Sequence, residues 1–151
     1  MSQTSTAKTL QDWEAELPAP VAPLANYVPC VQTGGLVYTS GALPLKDGQL
    51  MAHGSVGPGS VPTETAHACA RQCVLNALTH VRAQLGSLAQ VKRVVKVVGF
   101  VASMPGDDQQ PAVVNGASDL LVEMFGPEVG NHARSAVGVA ELPLGAPVEV
   151  E

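Results

Sequence analysis

One arginine near the end of this 151-residue chain stands where it could hold a small anion. It lies in the run Asn131-His132-Ala133-Arg134-Ser135-Ala136-Val137-Gly138-Val139-Ala140-Glu141. A second arm, Val148-Glu149-Val150-Glu151, follows after Leu142-Pro143. If the first arm is a strand, period two puts Arg134, Ala136, Gly138 and Ala140 on one face. Ser135, Val137, Val139 and Glu141 then take the other. The arginine face carries almost no side-chain volume, which leaves room beside the guanidinium. That group is always ionised and meets a carboxylate through two parallel hydrogen bonds. On residues alone the rival reading stands beside it: a structural arginine paired with a neighbour's carboxylate.

Other reactive side chains fall short of a site. Ser40 lacks the G-x-S-x-G elbow and a placed histidine, so a hydrogen-bonding role at a strand end is expected rather than acyl transfer. Cys69, Cys73 and His80 share a helix stripe. The seven-residue step from Cys73 to His80 spans about 10 Å, too far for one metal, so core packing is expected. His53, His67 and His132 have no ligand spacing and read as surface or loop residues, His132 beside Arg134. Cys30 reads as a buried apolar residue. The Gly54 to Pro62 loop lacks the Lys-Ser/Thr ending of a phosphate cradle. Lys92, Arg93 and Lys96 read as a solvated strand end.

Bulk properties narrow the classes. The chain has 46% hydrophobic residues but few aromatics, so Val, Leu and Ala must build the core of a single domain. The formal charge of -5 and the lack of a Lys/Arg cluster give no footprint for nucleic acid. No signal peptide and no apolar run of transmembrane length is visible. Three cysteines make no disulfide framework, so a reduced, cytoplasmic protein that meets no membrane is expected. Neither a metal nor a cofactor is expected.

The elements that must position Arg134 can be read in outline. Residues 1–24 form an N-terminal helix, Thr4 to Leu17, and a Pro-rich connector; residues 25–151 form the main domain. Leu10, Trp13 and Leu17 give the helix one apolar face, and Trp13 packs it onto the domain. Val28–Thr33 and Leu36–Ser40 read as a hairpin turning at Gly34-Gly35. Lys46-Asp47-Gly48-Gln49 is a turn before a short third strand, Leu50 to His53. Ala66, Ala70, Cys73, Ala77, Val81 and Leu85 mark a helix from about Thr63 to Leu85, ended by Gly86. Val91 to Ala102 reads as a long strand. Pro111 opens a second long helix to about Phe125, stopped by Gly126-Pro127, and a terminal pair of strands follows. This order suggests an α+β domain, an antiparallel sheet with two helices on one face. Val94-Val95 and Val97 to Val101 are apolar on both faces, and another copy of the chain is the simplest cover for the second face.

Several segments together resemble the YjgF/Rid family, the reactive intermediate deaminases, also grouped as the YjgF/YER057c/UK114 proteins. They are Asn26-Tyr27-Val28, Val37-Tyr38-Thr39-Ser40-Gly41-Ala42-Leu43-Pro44, Ala70-Arg71-Gln72-Cys73, Val94-Val95-Lys96-Val97, Val114-Asn115, Ala133-Arg134-Ser135, Ala140-x-Leu142-Pro143 and Val148-Glu149-Val150-Glu151. The likeness runs from about Asn26 to Glu151 and leaves the N-terminal helix outside.

The resemblance implies a chorismate-mutase-like α+β fold with an antiparallel or mixed sheet. It implies a homotrimer built around a barrel, with clefts between subunits. It also implies cofactor-free hydrolysis of 2-imino acids and their enamine tautomers to 2-keto acids and ammonia. Carried over by position, Arg134 holds the substrate carboxylate and Glu149 helps place the attacking water. Tyr27, Ser40 and Asn115 line the cleft, and the Ser40-Gly41 strand end offers hydroxyl or backbone hydrogen bonds. The family's studied deaminases have cysteine two residues after the arginine. Here it is Ala136, whose backbone carbonyl remains available to a water. On residues alone Glu149 also reads as an exposed strand glutamate, Tyr27 as a packed strand-start aromatic and Asn115 as an exposed helix amide. Two rival functions stand: a non-catalytic trimer that binds small carboxylate metabolites, and the ribonuclease activity of some relatives. The acidic charge and sparse aromatics argue against the second.

Overall fold

The computed structural model describes residues 7–23 and 25–151. Helix α1 (Leu10–Ala15) starts at a capping box, in which Asp12 N–H donates to Thr9 Oγ1 and Thr9 N–H donates to Asp12 Oδ2. The first residues expected of this helix, 4–6, lie outside the described residues. Trp13 is buried in the core. Thr79 Oγ1 donates to Pro18 O at 3.1 Å and ties the connector to the domain.

Strands β1 (Cys30–Thr33) and β2 (Leu36–Thr39) form an antiparallel hairpin, with Cys30 opposite Thr39 and Thr33 opposite Leu36. The expected third strand is instead a miniature hairpin of β3 (Leu45–Lys46) and β4 (Gln49–Leu50). Its turn residues, Asp47 and Gly48, both take positive φ, at 52° and 78°. Helix α2 (Thr63–Leu85) has the expected limits. Gly86 ends it at φ 84°, a left-handed cap that costs glycine nothing.

The long strand is shorter than its valines suggest: β5 spans Lys96–Ala102. Before it, Val94 N–H donates to Val129 O and Val95 O accepts from Ala133 N–H, so this stretch is tied to other segments rather than to a regular ladder. Helix α3 (Gln110–Gly130) breaks at Gly126 (φ 76°, ψ 165°), where the stop was expected, and resumes for a turn at Pro127.

The terminal strands, β6 (Ala133–Val139) and β7 (Val148–Val150), are not a hairpin. They flank β5 in the order β6-β5-β7, with β6 parallel to β5 and β7 antiparallel. The cause is α3, which carries the chain back so that β6 restarts in the direction of β5, a β-α-β crossover. The sheet is therefore mixed. An antiparallel bridge between Ala42 and Val150 joins the segment after β2 to the far side of β7.

Both long helices lie on one face of this sheet. Val97 and Val101 of β5 and Val148 and Val150 of β7 point into the core with Val114, Leu120 and Leu121. Contact is close where side chains vanish: a Cβ on Gly99 would come 2.3 Å from Val114 Cγ2, and one on Gly116 would come 2.0 Å from the carbonyl oxygen of His67 on α2. The opposite face is open in the single chain, with Val137 of β6 exposed, and the separate β1–β2 hairpin also exposes Val31, Leu36 and Tyr38. Among the described residues no helix is long and apolar enough to cross a membrane.

Candidate functional site

Arg134 sits opposite Val97 in the β5–β6 register. Val97 points into the core, so Arg134 also projects toward the helix layer, but from the edge strand and partly exposed. Its Nη1 donates to Asn115 Oδ1 at 2.8 Å and to Ser118 Oγ at 3.2 Å, both on α3. Asn115 and Ser118 are three residues apart on the helix and so share one face. Among the described residues no carboxylate lies within ion-pair distance of Arg134. Two neutral acceptors thus occupy the two Nη1 hydrogens. The Nε–Nη2 edge, the side that meets a carboxylate with two parallel bonds, has no acceptor among the described residues.

The bare floor expected beside Arg134 is not vacant. Ala136 packs against the core, and a Cβ on Gly138 would lie 3.2 Å from Gln110 Nε2 and 3.3 Å from Ser103 Oγ. The small residues of β6 let α3 approach the sheet.

Glu149 occupies a different place. It faces Phe100 across the β5–β7 ladder. Val97 and Phe100 are three residues apart on one strand, so their partners Arg134 and Glu149 lie on opposite faces of the sheet. Glu149 is flanked by Val148 and Val150, both buried against the helices, and therefore projects onto the open face. Its carboxylate crosses Gly41, where a Cβ would stand 1.9 Å from Oε1. Burial pushes its carboxyl above the usual 4.5, and the nearby Glu151 carboxylate adds to the rise.

Gly41 belongs to a second cluster of the expected residues. Tyr27, Pro29, Ser40, Gly41, Asn76 and His80 line a cavity of about 70 Å³. Ser40 Oγ donates to Val28 O at 2.6 Å, a strand-end role rather than a nucleophile's. The buried Asn76 donates to Leu43 O and Leu45 O, both at 2.9 Å, and so ties the segment after Gly41 to α2. Tyr27 is 46% exposed. Within one chain the residues thus form two half-sites: Arg134, Asn115 and Ala136 at the β6–α3 edge, and Glu149 against Gly41, with Tyr27 and Ser40 in the cavity that Gly41 lines and Glu149 does not.

Burial explains the silent cysteines. Cys69 and Cys73 are buried, the Cys69 thiol is pushed up to about 11 and that of Cys73 also rises, so both stay protonated and inert. His67 lies half-buried on α2, with Nδ1 3.0 Å from Ala112 O. Sequence reading passed over Ser118. Its only signal was the three-residue step from Asn115, which gains meaning once β6 lies alongside α3.

A profile of the family described as "YjgF/chorismate mutase-like, putative endoribonuclease" matches residues 8–150. The chain is 48% identical over 145 residues to Protein TCP17 of Trypanosoma cruzi, covering 96% of this chain and 90% of that protein. Among solved structures it is similar to Atu1372 of Agrobacterium tumefaciens, with 41% identity, a TM-score of 0.83, and 95% of this chain and 89% of that one covered. It is also similar to the YjgF gene product of E. coli, with 29% identity, a TM-score of 0.59, and 87% and 88% of the two chains covered.

Proposed function

The chain belongs to the YjgF/chorismate mutase-like family, and from that premise we propose that it hydrolyses reactive 2-imino acids and their enamine tautomers to 2-keto acids and ammonia. The reaction takes place in clefts between subunits of a homotrimer. The observation that carries this reading is Arg134: a partly exposed guanidinium, held by neutral acceptors, with its bidentate edge free among the described residues. The half-sites on opposite faces of one sheet support a cleft built from two chains, since one chain does not bring Arg134 and Glu149 together. The exposed Val137 on the open face and the exposed Val31, Leu36 and Tyr38 on the β1–β2 hairpin support burial against another copy.

The chemistry asks little of the protein. An iminium carbon is already electrophilic, so orienting it and placing a water suffices. Arg134 holds the substrate carboxylate through Nε and Nη2. Glu149 of a neighbouring copy accepts a proton as water attacks the iminium carbon. The C–O bond forms and the C=N π pair moves to nitrogen. That proton then passes to the amine, the C–N bond breaks and ammonia leaves, while the hydroxyl oxygen closes the carbonyl and gives its remaining proton back to Glu149, from which it passes to the departing ammonia or to solvent. A carboxyl raised by burial is a better base than an exposed one. Tyr27, Ser40 and Gly41 line the cleft beside Glu149, and the Ala136 carbonyl is available to a water.

The test is ammonia release from 2-iminopropanoate generated in situ, with mass measured by light scattering. Wild type is expected to be a trimer and to accelerate release, and Arg134→Ala to lose the acceleration with the trimer intact. Unchanged release by Arg134→Ala, or a monodisperse monomer, overturns the proposal. Pyruvate binding without turnover would instead favour the non-catalytic carboxylate-binding reading.

A further inference from the structure

We propose that Ser118 and His132 act as a positioning pair that locks the Arg134 guanidinium in its carboxylate-receiving orientation. This rests on the reading of Arg134 as the carboxylate clamp. His132 lies two residues before Arg134, where the chain enters β6. Its Nδ1 is 2.6 Å from Gly130 O and its Nε2 is 2.9 Å from Ser118 Oγ. A carbonyl oxygen only accepts, so Nδ1 carries the hydrogen. In the neutral ring Nε2 is then an acceptor, and the network assigns the tautomer. Ser118 must therefore donate its single hydroxyl proton to His132. Its oxygen lone pairs are left for Arg134 Nη1 at 3.2 Å.

The hydrogen bonds run in one direction, from Arg134 to Ser118 to His132 to the backbone of Gly130. Each donor and each acceptor has one assignment. With Asn115 Oδ1 taking the other Nη1 hydrogen at 2.8 Å, the guanidinium plane is held at two points. Only the Nε–Nη2 edge remains, so the clamp is preset for side-on binding of a small carboxylate. A bidentate pair depends on that plane, so its loosening weakens substrate capture before it touches the chemical step. Ser118 and His132 are positioning residues, since they act through Arg134.

Two measurements on the full chain test this. The ¹⁵N spectrum of the His132 ring should show the Nδ1–H tautomer. Calorimetry with pyruvate as probe should show binding weakened roughly tenfold in Ser118→Ala and in His132→Leu, the scale of one lost hydrogen bond to a charged group. Ser118→Thr, which keeps the hydroxyl, should restore it. For the imine substrate, KM should rise in Ser118→Ala with kcat nearly unchanged. Wild-type binding retained by both Ser118→Ala and His132→Leu, or an Nε2–H ring, overturns the positioning role and leaves the function standing. Failure of wild type itself to bind pyruvate removes the carboxylate clamp, and the proposed function falls with it.

Discussion

Arg134 and Glu149 project from opposite faces of one three-stranded sheet, through their ladder partners Val97 and Phe100. A site that uses both must draw them from different chains. Mixing makes this visible. Arg134→Ala and Glu149→Gln chains, each inactive alone, should regain activity when unfolded and refolded together. In a random mixture roughly a quarter of the sites join an intact arginine to an intact glutamate from a neighbour, because each closed interface repeats the same contact. Ammonia release near a quarter of wild type is expected; none at all would place both residues in one chain's site.

Gly41 leaves the space that Glu149 occupies. Gly41→Ala puts a methyl group where a Cβ stands 1.9 Å from Oε1, so the carboxylate must move. The proton acceptor then leaves its water, and kcat should fall by about tenfold or more, within the scale of general base help. The fold should survive, because the obstacle is the end of a flexible side chain. A variant with wild-type kcat and an unchanged far-UV spectrum would remove Glu149 from the proton path.

The acidity of Glu149 predicts two pH effects. Burial, with Glu151 adding, raises its folded-state carboxyl above the ordinary 4.5. Between the unfolded and folded values the native state therefore holds a proton that the unfolded chain has lost. This contribution favours the native state at lower pH and is lost as pH rises through the folded value. Melting temperatures from pH 4 upward should show this fall in wild type, and a flatter profile in Glu149→Gln. Activity should move the opposite way, rising as Glu149 ionises, with its acid limb above the usual carboxylate range. An acid limb at or below 4.5 would contradict the burial of this group.

Trp13 anchors α1 to the domain at 8% exposure, and the Glu14 carboxylate accepts from Ser87 Oγ at 3.0 Å. Lys8 Nζ lies 3.7 Å from the Trp13 ring centroid. Trp13→Ala should cost about 3–5 kcal/mol, the usual cost of truncating a buried aromatic side chain. Urea unfolding followed by fluorescence of a reporter placed elsewhere measures it. A change below about 1 kcal/mol would show that the helix contributes little to the fold.

Local patterns were legible wherever one residue type has one structural use. The stripe from Ala66 to Leu85 and the glycine at 86 located α2. Gly34-Gly35 turned the first hairpin, and Gly126-Pro127 broke α3. The alternation around Arg134 correctly grouped it with Ala136 and Gly138 on one face. Family likeness then tied these residues to a chemistry that periodicity alone does not contain.

Tertiary structure decided what that face meets. Period two says which side chains share a side, but which side is covered depends on the crossover through α3, and that crossover made β6 parallel to β5. The same packing turned the small residues of β6 into a seat for α3 rather than a floor for ligand. It brought Ser118 between Arg134 and His132, 16 and 14 residues away along the chain. Hydrogen bonds between segments so far apart leave no periodic trace. They exist only once helix and strand lie side by side, and there the direction of each donor becomes fixed.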